Sequence, residues 1–224
     1  MNKKRFTFTE LCVICGMLFL LFTFLGNAAE KALQKAREKS CVGNLKVIGQ
    51  ACGSYATDNA SFIPCQPKPD GTLIYFGTFH NEGSLPFLLA KNGYFGEKPT
   101  GPSKNWLPNT ISEFFACPED KANFKPGTVR SSYFIHQIDA ATAVKMRRYG
   151  EELFARVNLE TDRPENSICF DVFPYKQAEK YISNHGSVTN VLRLNGSVDQ
   201  VDCTGALKGN IWNWIAEVMD EIEL

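Results

Sequence analysis

Thiols are the side chains in this sequence with the most chemistry to offer. There are eight cysteines. Cys12 and Cys15 lie in an apolar stretch near the start, while Cys41, Cys52, Cys65, Cys117, Cys169 and Cys203 are spread over the rest. In an oxidising space the latter six could form up to three bridges, and spacing alone leaves many connectivities open. One pair is excluded. Cys41 and Cys52 fall on one helical pattern, separated by about 16 Å of rise, well beyond the roughly 7 Å reach of a bridge. They share a helix face, so each can reach a different part of the domain. Cys12-Val13-Ile14-Cys15 has the CxxC form, but in a lipid-facing helix two cysteines act as small hydrophobes rather than a redox couple.

The remaining chemistry is sparse. His80, His136 and His185 are too scattered to imply a zinc site, and His185 is expected to satisfy backbone groups where a final hairpin begins. Asp199 and Asp202 lack the dense oxygen cluster of a calcium site and read as solvated charges. No GxSxG, phosphate-cradling glycine loop, HExxH or EF-hand loop occurs. Formal net charge is zero, from 24 basic and 24 acidic residues in 224, which removes the basic surface that nucleic acid requires. The chain reads as a protein without catalytic centre, cofactor, metal or nucleic-acid partner.

The elements that would position these residues begin with Phe6 to Gly26, FTFTELCVICGMLFLLFTFLG, apolar apart from Glu10. About 20 apolar residues at 1.5 Å each cover the roughly 30 Å hydrocarbon layer of a bilayer, so this stretch is read as membrane-spanning. Glu10 either snorkels to the headgroups or meets a positive charge from a neighbouring chain. A cleaved signal peptide fits the basic start and the small residues Gly26 to Ala29, but Glu10 interrupts the run and a helical pattern continues unbroken beyond it. Leu33, Ala36, Cys41, Leu45, Ile48, Cys52 and Tyr55 form its apolar stripe. One helix of about 50 residues, roughly 75 Å long, is expected.

After a turn at 57–61 and prolines 64, 67 and 69, a strand is expected at Leu73 to Phe79 and a short helix at Ser84 to Asn92. Residues 93–125 read as a long surface loop. Strands follow at Ser131 to Gln137 and Asn166 to Val172, separated by a helix from Ala140 to Val157. Thr189 to Leu194 and Ser197 to Val201 flank Asn195-Gly196, the signal of a two-residue type I′ hairpin turn with both central residues at positive φ. A last amphipathic helix is expected over 210–224.

Three ordered stretches resemble a known family. Lys4-Arg5-Phe6-Thr7-Phe8-Thr9-Glu10-Leu11 is similar to the prepilin amino terminus of type IV pilins and type II secretion pseudopilins. Lys35 to Gly49, KAREKSCVGNLKVIG, resembles a region of a planctomycete- and lentisphaera-type pseudopilin-like family, with Cys41 and Asn44 in matching places. His185, nine residues, then Asn195-Gly196 resembles that family's carboxy-terminal His, nine residues, Asp-Gly signature. Arg5 stands where the family has Gly, and Asn195 where it has Asp.

The resemblance implies an α+β, pilin-like fold: basic leader 1–5, transmembrane half-helix 6–26, amphipathic half 27–58 and exported globular domain 59–224. A long amino-terminal helix would pack on a small antiparallel sheet with variable loops and a carboxy-terminal helix. It implies a structural subunit of a pseudopilus or type IV pilus-like filament in a type II secretion-like system. Prepilin peptidase would cut between Arg5 and Phe6, and Glu10 would pair with the freed Phe6 amine of the next subunit. Implied partners are other pilin-like subunits, an inner-membrane assembly platform and membrane lipid. The implied location is the bacterial inner membrane, crossed once, with the amino terminus cytoplasmic and the main domain periplasmic or in an extracytoplasmic filament. Cys117, in a Phe-Ala-Cys-Pro stretch similar to the family's loop cysteine, is the implied partner of Cys41; Cys52 with Cys65 is a second pairing. If Arg5 blocks cleavage, the alternative is a membrane-tethered exported binding domain that does not polymerise.

Overall fold

The structure, a computed structural model, describes residues 7–68, 70–145, 151–174, 181–207 and 211–220. Helix α1 runs Phe8–Asp58, 51 residues. Its start is closed by a capping box: the Thr7 hydroxyl accepts from the Glu10 N–H at 3.4 Å, and the Glu10 carboxylate accepts from the Thr7 N–H at 2.8 Å. Two of the free amide donors of the first turn are thereby satisfied. The far end is closed when Asn59 and Ser61 return N–H bonds to the Ala56 carbonyl, with Ala60 and Ser61 both at positive φ.

The sequence reading places a transmembrane half in this helix, as part of a pilin-like fold anchored once in the inner membrane. The structure overturns that reading. Among the described residues, no helix is long and apolar enough to cross a membrane. Thr7, Thr9 and Glu10 put polar groups at the start of the helix, where Thr7 and Glu10 are tied into its capping box.

Five strands follow: β1 (Ile74–Phe79), β2 (Arg130–Ile138), β3 (Ser167–Asp171), β4 (Val188–Arg193) and β5 (Val198–Asp202). They form one antiparallel sheet in sequential order. Helix α2 (Leu85–Asn92) and helix α3 (Ser103–Phe114) lie between β1 and β2, α4 (Ala140–Lys145) follows β2, and α5 (Ile211–Trp214) continues as a π-helical turn over Ile215–Met219. Successive strand residues point to opposite faces, and here both faces are apolar. Tyr133, Ile135, Cys169 and Leu192 pack with Cys41, Leu45, Ile48 and Cys52 of α1 and with α2 and α3. Phe134, Phe170 and Val191 pack on the other side with Phe154, Trp214, Ile215 and Met219. The sheet is thus a middle layer, which is why β2 and β3 are buried along almost their whole length.

Several local expectations are corrected. Residues 93–125 contain α3, whose inward Leu107 and Ile111 hold a helix together despite Pro108 in its interior. The helix expected from Ala140 to Val157 is described over Ala140–Lys145 and does not reach Val157, because Glu151–Phe154 is a single 3₁₀ turn. Beyond it Arg156 returns an N–H bond to the Ile138 carbonyl. Its guanidinium is fully buried, bonded to the Phe154 and Ser167 carbonyls and to His136 Nδ1, and paired with Asp220 at 2.8 Å. A helical path would carry this charge away from Asp220, its only described ion-pair partner.

Candidate functional site

The residues singled out by sequence converge where α1 meets the sheet. Cys41 is the first fully buried residue along α1 among the described residues and is bridged to Cys117 in the loop after α3, with Cα atoms 5.1 Å apart. One turn on, Asn44 Nδ2 donates to the Ala116 carbonyl at 2.9 Å and fixes the same loop beside its cysteine. Cys41 and Asn44 therefore act on one segment, one covalently and one by hydrogen bond.

His185, in the connection from β3 to β4, completes the group. Its Nε2 lies 3.4 Å from Cys117 Sγ and 3.2 Å from Asp171 Oδ2 at the end of β3. That oxygen also accepts from the Asn190 N–H at 3.0 Å and from Asn190 Nδ2 at 2.7 Å. The chain of bonds runs back to α1, because Gln200 Nε2 donates to both Asn190 Oδ1 and Glu38. Asp171 and His185 side chains are 1% and 4% exposed, so the pair is sheltered from water. Burial disfavours charge on His185, but the Asp171 hydrogen bond and the negative charges of Asp171, Glu38 and Glu119 outweigh it and raise its pKa. His185 is consequently more than a satisfier of backbone groups: it is an ion-pair partner placed against a sulfur.

No family model, curated protein or solved structure matches this chain.

The other candidate residues are dispersed. Arg5 and Phe6 lie outside the described residues, and Glu10 is engaged by Thr7 within its own chain. Asn195 and Gly196 form the β4–β5 turn, but not the expected two-residue type I′ turn. Arg193 and Ser197 are joined by an N–H bond of 2.9 Å, Gly196 returns its N–H to the Arg193 carbonyl, and only Gly196 has positive φ. This is a type I turn closed by a left-handed glycine, and Asn195 Oδ1 accepts from the Ser197 N–H. Cys52 and Cys65 are free thiols, as are Cys169 and Cys203. Burial pushes the Cys52 thiol up to about 12 and, with Asp139 and Asp162 adding, Cys65 up to about 11. His80 is held neutral by burial, its pKa depressed to about 3, and His136 is pushed well below its ordinary value by burial and by Arg156.

Asp171 is the functional residue that the sequence reading missed. A signal was present: in the alternation Ile168, Phe170, Val172, Asp171 falls on the same sheet face as Cys169. An acidic residue at an inward position of a central strand needs a partner.

Proposed function

We propose that this chain is a structural subunit of a pseudopilus or type IV pilus-like filament, joined to other copies through the amino-terminal part of α1. The observation that supports this reading is the exposed apolar surface there. Phe8, Phe19 and Phe22 are 80%, 70% and 73% exposed, and Leu11, Val13, Met17, Leu18, Leu20 and Leu21 each about half. A helix apolar on all sides is one that is surrounded on all sides. At roughly 25 cal/mol per Å², an aromatic or leucine that becomes buried contributes about 1.5–3 kcal/mol, so a few such residues per subunit suffice to drive association. Helices from several copies bundled side by side supply that environment. Because Thr7 already holds Glu10, apolar packing sets the register of such a bundle at least as much as Glu10 does.

The test uses the full-length oxidised protein, followed by sedimentation velocity and negative-stain electron microscopy over a concentration series. Wild type should assemble. Leu18→Glu with Phe22→Glu should remain monomeric while keeping its far-ultraviolet circular dichroism, since both side chains face outward from the folded head. A wild-type chain that stays monomeric throughout, or a double variant that assembles equally well, refutes the proposal.

A further inference from the structure

The cluster at the α1–sheet junction has a composition that a disulfide alone does not use. Cys41, Cys117, Asp171 and His185 each offer one ligand atom, and these four atoms lie within 4.8 Å of one another. They come from four separate segments, so the fold itself brings them together. Asp171 Oδ1 is buried and has no hydrogen-bond partner among the described residues, an uncompensated acceptor in a sheltered place. Asp171 Oδ2 meanwhile is held in position by Asn190. His185 Nε2 lies 3.2 Å from that carboxylate oxygen and 3.4 Å from Cys117 Sγ, which is where a cation would sit.

We propose that reduction of the Cys41–Cys117 bridge turns this cluster into a tetrahedral site for a zinc-class divalent cation, bound by Cys41 Sγ, Cys117 Sγ, His185 Nε2 and an Asp171 carboxylate oxygen. The donor set is right for such a metal: two thiolates, one imidazole and one carboxylate, with bond lengths of roughly 2.0–2.3 Å. Asn190 then serves as the outer partner that orients the carboxylate. The redox step balances. A dithiol reductant gives two electrons and two protons, its own sulfurs joining as a disulfide, while the Cys41–Cys117 bond breaks to two thiols. The cation then displaces both thiol protons and any proton on His185 Nε2. The bridge and the metal site are therefore alternative closures of the same junction, selected by redox state.

The experiment is cobalt titration of the full chain carrying Cys12→Ser and Cys15→Ser, which removes the exposed CxxC pair from the background. Protein treated with a phosphine reductant should bind one Co²⁺, with thiolate-to-cobalt charge transfer and the intense visible bands of tetrahedral cobalt; the oxidised protein should bind none. His185→Ala and Asp171→Ala should each weaken binding at least tenfold, by comparison with the roughly 10–100-fold that outer-shell partners alone command. Near-ultraviolet circular dichroism and thermal melting follow the fold in parallel. If reduction loosens the fold, Co²⁺ or Zn²⁺ should restore it. Absence of tetrahedral cobalt bands, equal affinity in the His185 and Asp171 variants, or a reduced chain that metal fails to refold overturns the proposal. None of these results depends on whether the chain forms filaments.

Discussion

Replacing both bridged cysteines, Cys41→Ala with Cys117→Ala, tests how far the junction is held by covalent rather than packing forces. The bridge closes a loop with a sequence separation of 76 residues. In the chain-entropy treatment, removing a cross-link of that span costs about 15 cal/mol/K, or about 4.5 kcal/mol at 25 °C. Native strain and residual order in the unfolded chain lower such figures, so a loss of about 2–5 kcal/mol is expected. That is a large share of the 5–15 kcal/mol typical of a domain. The assay is urea unfolding of the oxidised wild type and the double variant, followed by tryptophan fluorescence. Two readouts should move in opposite senses. The midpoint should fall, and the slope m should rise, because an unbridged unfolded chain exposes more surface. A loss below about 1 kcal/mol with m unchanged would mean that the unfolded chain gains no freedom when the bridge is absent, and the reasoning would fail.

Four further outcomes follow from the same geometry. Arg156→Met should destabilise by about 3–5 kcal/mol in denaturant titration, because it leaves Asp220 buried without its cation; adding Asp220→Leu should recover part of the loss, and a strictly additive double variant would count against the ion-pair account. The raised pKa of His185 makes its contribution to stability complete below the ordinary value of 6.5 and lost as pH rises through the raised value. Melting temperatures of the oxidised protein should show this decline on the alkaline side of 6.5, and Asp171→Asn should flatten it. Two glycines should respond with opposite signs: Gly43→Ala, in open space within α1, should stabilise by about 1 kcal/mol, whereas Gly196→Ala, at φ +83°, should cost about 1–2 kcal/mol; equal responses in thermal melts would contradict both assignments.

How much of this was readable in advance depended on the range of the interactions. The alternation of Ile168, Phe170 and Val172 in β3 and the Asn-Gly hairpin are local patterns, and strands stand where those patterns are. The Cys41–Cys117 bridge was implied only by the family resemblance, since spacing leaves bridge connectivity open. Pro108 and the surrounding Gly and Asn residues disguised α3, because tertiary burial of Leu107 and Ile111 outweighs a poor local propensity. The opposite error extended a helix from Ala140 to Val157. Ala, Met, Arg, Glu and Leu favour helix, but Arg156 is committed to Asp220, far along the chain. The membrane-spanning reading weighed the hydropathy of 6–26 as a block, and the polar capping box of Thr7 and Glu10 went unnoticed. The convergence of His185, Asp171 and two cysteines lies beyond any local rule, because four segments distant in sequence meet only once the sheet is assembled.

The bridge also determines how the molecule carries load. In the filament proposed above, tension would enter the head along the helix axis and meet only the polar contacts of Arg37 and Glu38 before it reached Cys41. From there it can pass through sulfur to Cys117 without traversing the intervening chain. The last third of α1, β1, α2 and α3 therefore sit in a shunted loop. Roughly 260 Å of contour, 76 residues at about 3.4 Å each, is withheld from extension for as long as the bridge is closed. A reducing encounter would release that slack, so the same bond that stiffens the junction is also the fuse that limits how far a pulled subunit can lengthen.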